Sequence, residues 1–193
     1  GLLRELAESA RHLEAARKVQ QFDTHSTQAL DLLSGNQTRQ AFKLDEESDK
    51  TRDRYGRTKF GQSVLLARRL VESGVSLVQV NWQRIEGKEN NGSWDIHKSY
   101  APCCRDFLLP IMDQSFSALI DDLEERGLLD ETLVAWIGEF GHTPKVNTRA
   151  GRDHWGSCFS CAIAGAGIQG GIVHGVSDKH AAYPITGRVA PRD

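Results

Sequence analysis

The sequence predicts an α/β protein with a mostly parallel sheet, preceded by a polar helical arm. Three observations predict this class. Apolar residues recur at three- and four-residue steps through 57–73, the spacing of an amphipathic helix. A β-branched run at 75–82 (VSLVQVNW) comes directly after it, which reads as a strand. A second helical stripe at 103–126 leads into another apolar run at 132–137 (TLVAWI). Strand, helix, strand at this spacing forms a βαβ unit with locally parallel strands and a right-handed crossover.

Residues 1–56 form the arm and 57–193 the α/β part. In the arm, Leu2, Leu3, Leu6, Ala10, Leu13 and Val19 partly follow helical spacing, and Ser34-Gly35-Asn36 breaks it. Residues 44–57 are almost all charged or polar, as in a solvated linker or exposed helix. Phe60, Val64, Ala67, Leu70 and Val71 make the first stripe, and Gly74 stands where a C-terminal cap belongs. Asn90-Asn91-Gly92 marks a turn in the polar loop 83–93. Leu108, Met112, Ser115, Leu119 and Leu123 make the second stripe, ended by Gly127, with Pro110 predicting a kink or a later start. After the strand at 132–137 come a long loop at 138–156, a third strand at 159–164 and a further short one at Ile172-Val173. The run from Gly165 to Gly171 (GAGIQGG) superficially matches a dinucleotide pattern. Residues 172–176 (IVHGV) read as extended, whereas that fingerprint needs a helix N-terminus. The run is read as a turn.

Composition narrows the function classes. The chain has 193 residues and a net charge of −2, with 24 Lys plus Arg against 26 Asp plus Glu. That balance argues against a nucleic-acid module. No apolar run approaches the ~20 residues of a membrane span. The chain begins at Gly1-Leu2-Leu3-Arg4 and ends at Pro191-Arg192-Asp193. It is read as a piece of a longer protein, whose localisation its ends do not give. Of the four cysteines, Cys103 and Cys104 are adjacent, and Cys158 and Cys161 have the spacing of a zinc half-site with no second pair. They are read as small apolar residues, the latter two in a strand.

Ligands of an open parallel sheet sit beyond the carboxyl ends of its strands. The strand at 75–82 exits toward Trp94-Asp95-Ile96-His97, and that at 132–137 exits into Gly138-Glu139-Phe140-Gly141-His142. The same loop then delivers Gly151-Arg152-Asp153-His154-Trp155. Asp95, His97, Glu139 and His154 are therefore candidate metal ligands, with His142, Asp153 and Arg152 as an additional site. Asp95 and His97, two apart in an extended segment, point to one side. Glu139, just past a buried strand, costs stability without a partner. A mixed carboxylate and imidazole set suits zinc, manganese or iron better than calcium, which prefers oxygen alone. Singly these are ordinary loop residues, and Asp23-Thr24-His25 is a decoy of the same form. Their convergence carries the argument. His12, His25, His174 and His180 are read as surface or packing residues.

Four segments occur in order: 55–76 (YGRTKFGQSVLLARRLVESGVS), Trp94-Asp95-Ile96-His97, 138–144 (GEFGHTP) and Gly151-Arg152-Asp153-His154-Trp155. Over about 55–190 the chain resembles a bacterial, planctomycete-rich family labelled domain of unknown function 1501. That family looks like a branch of the alkaline phosphatase and sulfatase superfamily. The resemblance implies a three-layer α/β/α sandwich, incomplete here, and a metal cluster of zinc, manganese or calcium at the carboxyl edge of the sheet. It aligns Asp95 and His97 with a ligand pair and His154 with a late metal-binding His. Glu139 falls where an Asp-His pair usually begins, with Phe140 at the position of its His. His142 replaces the family's usual Arg, and Ile96 and Lys98 depart from the usual Trp-Asp-Thr-His-Gly. The superfamily's first metal-binding Asp and its nucleophile lie in an N-terminal portion outside this chain, so the fragment alone is expected to be inactive.

The function expected of the full-length parent is metal-dependent hydrolysis of sulfate or phosphate esters, in a secreted or periplasmic protein. Two alternatives stand beside it. One is a catalytically degenerate protein that binds without turnover, for which Phe140 speaks. The other is a structural secreted protein in which these residues form ion pairs and the arm packs on another subunit as a homo-oligomer.

Overall fold

The computed structural model describes residues 24, 26, 27 and 35–190. The stripe expected at 1–22 lies outside them, as do His12 and His25. Helix α1 (Asn36–Ala41) and a 3-10 turn (Leu44–Glu46) lead to α2 (Asp49–Tyr55) and α3 (Lys59–Glu72). The Ser48 hydroxyl accepts the Thr51 N–H at 3.1 Å and opens α2, and Gly56, at φ 84°, closes it. The Thr58 hydroxyl accepts the Gly61 N–H at 3.0 Å and opens α3. These are side-chain caps on otherwise orphaned donors. A Cβ at Gly61 would lie 2.2 Å from the Tyr55 carbonyl oxygen, so glycine lets α3 begin directly against the end of α2.

The helix expected at 103–126 runs as α4 (Tyr100–Cys103), a π turn (Cys104–Leu108) and α5 (Leu109–Glu125). Pro110 falls in the first turn of α5, just after the π turn. The expected kink is thus realised as a change of helical register.

Tyr55, Val64, Leu65 and Ala118 form one core where α2, α3 and α5 meet, with Phe60, Val80 and Leu119 packed on it. Burying side chains such as Leu65 contributes about 2 kcal/mol each. Polar groups lock the same interface. The Tyr55 hydroxyl donates to Asp122 Oδ2 at 2.8 Å, and the Ser115 hydroxyl donates to the Tyr55 carbonyl at 3.0 Å. Arg68, only 1% exposed, is ion-paired with Glu47 at 2.6 Å and with Asp122 at 2.9 Å. The latter pair is close but off the hydrogen-bond line of the Arg68 Nε–H. A second core joins Ile96, Cys103, Cys104 and Leu108, with Trp82, Trp94, Tyr100 and Phe107 around it.

The strands overturn the expected sheet. β1 (Val134–Trp136) pairs antiparallel with β4 (Ala162–Ala164), β2 (Gly141–His142) with β3 (His154–Trp155), and β5 (Val176–Ser177) with β6 (Pro184–Thr186). The protein is mixed α/β, but its described strands are short and antiparallel, not the mostly parallel sheet of a three-layer sandwich. Parallel neighbours need a crossover helix. The connection from β1 to β4 has none and folds back on itself through β2 and β3. The run at 75–82 keeps strand alternation without a ladder. Val80 and Trp82 pack inward on the two cores while Leu77 is 86% exposed. Strand propensity describes a fit to a pleated surface and does not by itself supply a partner.

Smaller expectations also resolve. Ile172 and Val173 are exposed and form no strand, which falls instead at β5 and β6. Gly165, Ala166 and Gly167 form a turn with φ of 81°, 48° and 74°, and no helix comes after it. Cys103 and Cys104 are buried, but Cys161 is exposed and lies just before β4, so it is not the core residue expected. Among the described residues, no helix is long and apolar enough to cross a membrane.

Candidate functional site

Three chain segments build the site. The first is anchored by Ile96, 2% exposed in the second core. With Ile96 held inward, its neighbours Asp95 and His97 both turn out, and His97 Nε2 meets Asp95 Oδ1 at 2.8 Å. The second and third segments are β2 and β3, whose register sets His142 opposite His154. Their ring centroids stand 5.7 Å apart. The β2 end admits only glycine, because a Cβ on Gly141 would come within 2.4 Å of the Cys158 carbonyl oxygen.

Backbone bonds clamp the first segment to the loop before β3. The Arg152 N–H donates to the Ile96 carbonyl at 2.9 Å, Ser99 N–H to Arg149 at 3.1 Å, and Tyr100 N–H to Ala150 at 2.7 Å. Lys98 and Ala150 form an antiparallel bridge. Gly151 sits at the crossing point, buried against His97.

Asp95, His142 and His154 converge, with one ligand atom from each lying within 4.8 Å of the others. His154 Nε2 lies 2.7 Å from Asp95 Oδ1. Hydrogen bonding to His154, with the charges of the neighbouring His97 and His154, outweighs burial and holds the Asp95 carboxyl below its usual range. Burial, reinforced by the positive charge of a protonated His154, pushes the His142 imidazole down and favours its neutral form. His142 Nε2 is buried and has no hydrogen-bond partner among the described residues. A neutral imidazole with a free nitrogen is the form that ligates a metal. Asp95 and His154 are about half exposed, at 57% and 50% of their side chains, so the cluster opens to solvent on their side. The Phe140 ring, 4.4 Å from that of His154 and 6.2 Å from that of His142, covers another.

The other sequence candidates divide. His97 stands beside the converging trio, its Nδ1 3.3 Å from Asp153 Oδ1. Asp153 is thus a partner of His97, and its carboxyl is held down by bonds to His97 and Asn147. Glu139 is exposed and lies outside the trio. The loop turns it outward, and exposure removes the need for a partner on which its candidacy rested. Arg152 spends its guanidinium on the carbonyls of Thr143 and His142 and stacks over the Tyr100 ring at 5.1 Å. It pins the loop through neutral partners.

Asn147 was invisible to motif reading, yet it makes four hydrogen bonds in this loop. An Asn four residues before a Gly between two site segments was the available signal, because such side chains bond their own turn.

The family model described as Protein of unknown function (DUF1501) matches residues 1–193. No curated protein and no solved structure matches the chain. Because the family match runs the full length of the sequence, the chain belongs to the DUF1501 family.

Proposed function

We propose that the protein is a metal-dependent hydrolase of sulfate or phosphate esters, working on a divalent cation held by Asp95, His142 and His154. The observation that carries the reading is the convergence of Asp95, His142 and His154, within which His142 also has a buried, unpartnered Nε2. Leaving a buried imidazole nitrogen unsatisfied costs about 1–3 kcal/mol, and a metal removes that cost. Two His and one carboxylate with a side open to solvent match the donor set of catalytic zinc sites, where water or substrate takes the remaining position. The donors also suit manganese, while two imidazoles disfavour calcium.

A cation bound there supplies Lewis acidity to an ester oxygen or to water. This chain's residues contribute part of the rest, the nucleophile being expected outside it. Asp95 and the two His hold the charge. His97, bonded to Asp95 and Asp153, fixes the carboxylate. Phe140 excludes water from one flank. The ester class and a secreted or periplasmic location are drawn from the superfamily resemblance of the four motifs. Phe140 favours a second reading, binding of the same anions without turnover, because it replaces an expected imidazole.

The test is elemental analysis with a 4-nitrophenyl sulfate and phosphate assay, on the full-length parent and on its His142→Ala variant. Stoichiometric zinc or manganese and ester cleavage, both lost in the variant, support hydrolysis. Metal without cleavage selects the binding reading. Metal content unchanged by His142→Ala rejects both.

A further inference from the structure

We infer that Asn147 is a positioning residue that sets the carboxylate of Asp95 through a chain of side chains. Its amide is fully used. Oδ1 accepts the Arg149 N–H at 2.9 Å and the Gly151 N–H at 3.0 Å. Nδ2 donates to the His97 carbonyl at 3.1 Å and to Asp153 Oδ1 at 3.1 Å. The accepted bonds shape the turn, and the donated bonds reach across it.

The donated pair has a specific consequence. Asn147 holds the same oxygen of Asp153 that faces His97 Nδ1 at 3.3 Å. It also holds the backbone from which the His97 ring springs. With both ends of that contact fixed by one amide, the imidazole is oriented so that Nε2 meets Asp95 Oδ1 at 2.8 Å. The contacts run from Asn147 to Asp153 to His97 to Asp95. Asp153 and Asp95 are both more than half exposed, so neither is fixed by packing, and their directions depend on these bonds. Partners one step removed from a metal ligand, the place His97 takes here, typically change metal affinity 10- to 100-fold when removed, and links further out are expected to change it less.

The metal-affinity readout rests on the proposed metal site, so the experiment has a second arm that needs no metal. Asn147→Asp keeps the acceptor for the Arg149 and Gly151 N–H groups, removes both donated bonds and sets a second carboxylate beside Asp153, so Asp153→Ala serves as the variant without added charge. Asn147→Ala removes all four, and Asp153→Ala removes the next link. Each is compared with the parent by zinc titration against a chelator, by thermal unfolding, and by nitrogen NMR of the His97 ring in chelator-treated protein. The expected result is a loss of zinc affinity in Asn147→Asp and Asp153→Ala of up to roughly tenfold, the low end for direct ligand partners. Alongside it, the His97 Nδ1 resonance shifts in metal-free protein in both variants while Asp153→Ala, at an exposed side chain, unfolds near the parent temperature. A purely structural role would appear only in Asn147→Ala, as lost stability. An unchanged His97 resonance in Asn147→Asp overturns the inference. If the parent binds no zinc but that resonance still shifts, the positioning role stands and the metal reading fails.

Discussion

Gly151 packs so tightly on His97 that a Cβ added to it would lie 1.9 Å from the His97 carbonyl carbon and 2.0 Å from its oxygen. Backbone, not a flexible side chain, occupies the space, so the neighbour cannot turn aside. The crossing holds the Asp95 and His97 segment against the one carrying Asp153 and His154. Gly151→Ala is therefore expected to separate them, destabilising the fold by about 1–3 kcal/mol and abolishing zinc retention. Urea denaturation with zinc analysis checks this. A variant with parental stability and zinc content would show that the two segments are not held by this contact.

The structure distinguishes Glu139 from His142 where motif reading treated Glu139 as the stronger candidate. His142 lies in the converging trio, and Glu139 is exposed outside it. At a zinc concentration about a hundredfold above the dissociation constant, binding adds about 2.7 kcal/mol to the folded state. Melting curves with and without zinc are expected to show that gain in the parent and in Glu139→Ala, and to lose it in His142→Ala. Loss of the gain in Glu139→Ala would move the site toward the β1 exit.

Much of the helical part was legible because its signals are local. The stripe at 57–73 and the stop at Gly74 give α3 within two residues at its start and one at its end. The strands at 132–137 and 159–164 were located, but their direction was not. Pairing depends on whether the intervening chain crosses over or turns back, and 138–161 carries no helical stripe to decide it. Asp95 and His154, expected to share a sheet edge, do stand together, although 75–82 forms no strand and the sheet is not parallel. The outward direction of Glu139 and the bonds of Asn147 were not legible for one shared reason. Side-chain direction in a long loop is set by close backbone crossings such as Gly151 on His97, which leave only a lone glycine in the sequence.

The helical core predicts its own acid limit. Burial alone would raise the Asp122 carboxyl, but hydrogen bonds from Arg126 and Tyr55 and the charge of Arg68 outweigh it, and the net shift is downward. Glu47 behaves alike, with burial opposed by Arg69 and Arg68. Both titrate lower folded than unfolded. Their stabilisation is therefore complete above the ordinary carboxylate range, near pH 4, and is lost as pH falls through the folded values. Unfolding monitored by circular dichroism is expected to show constant stability down to about pH 5 and a decline below about pH 4. Asp122→Asn leaves the buried Arg68 short of a counter-charge and is expected to cost about 3 kcal/mol at pH 7, reducing that decline. A variant as stable as the parent would assign the acid limit elsewhere.

Arg152 separates two roles that a basic residue beside an anion site can play. If it bound substrate as a charge, lysine would largely replace it. The guanidinium is instead engaged with the carbonyls of Thr143 and His142 and lies over the Tyr100 ring. That geometry needs a planar group with several fixed donors, which an ammonium lacks. Arg152→Lys is expected to lower stability by about 1–2 kcal/mol and to weaken zinc binding, because the Thr143 and His142 carbonyls lose their shared donor and β2 loosens. Thermal unfolding and zinc titration of Arg152→Lys beside Arg152→Ala decide it. Near-equal losses in both variants identify a pin. Full retention by lysine with loss in alanine would restore Arg152 as an anion-binding charge.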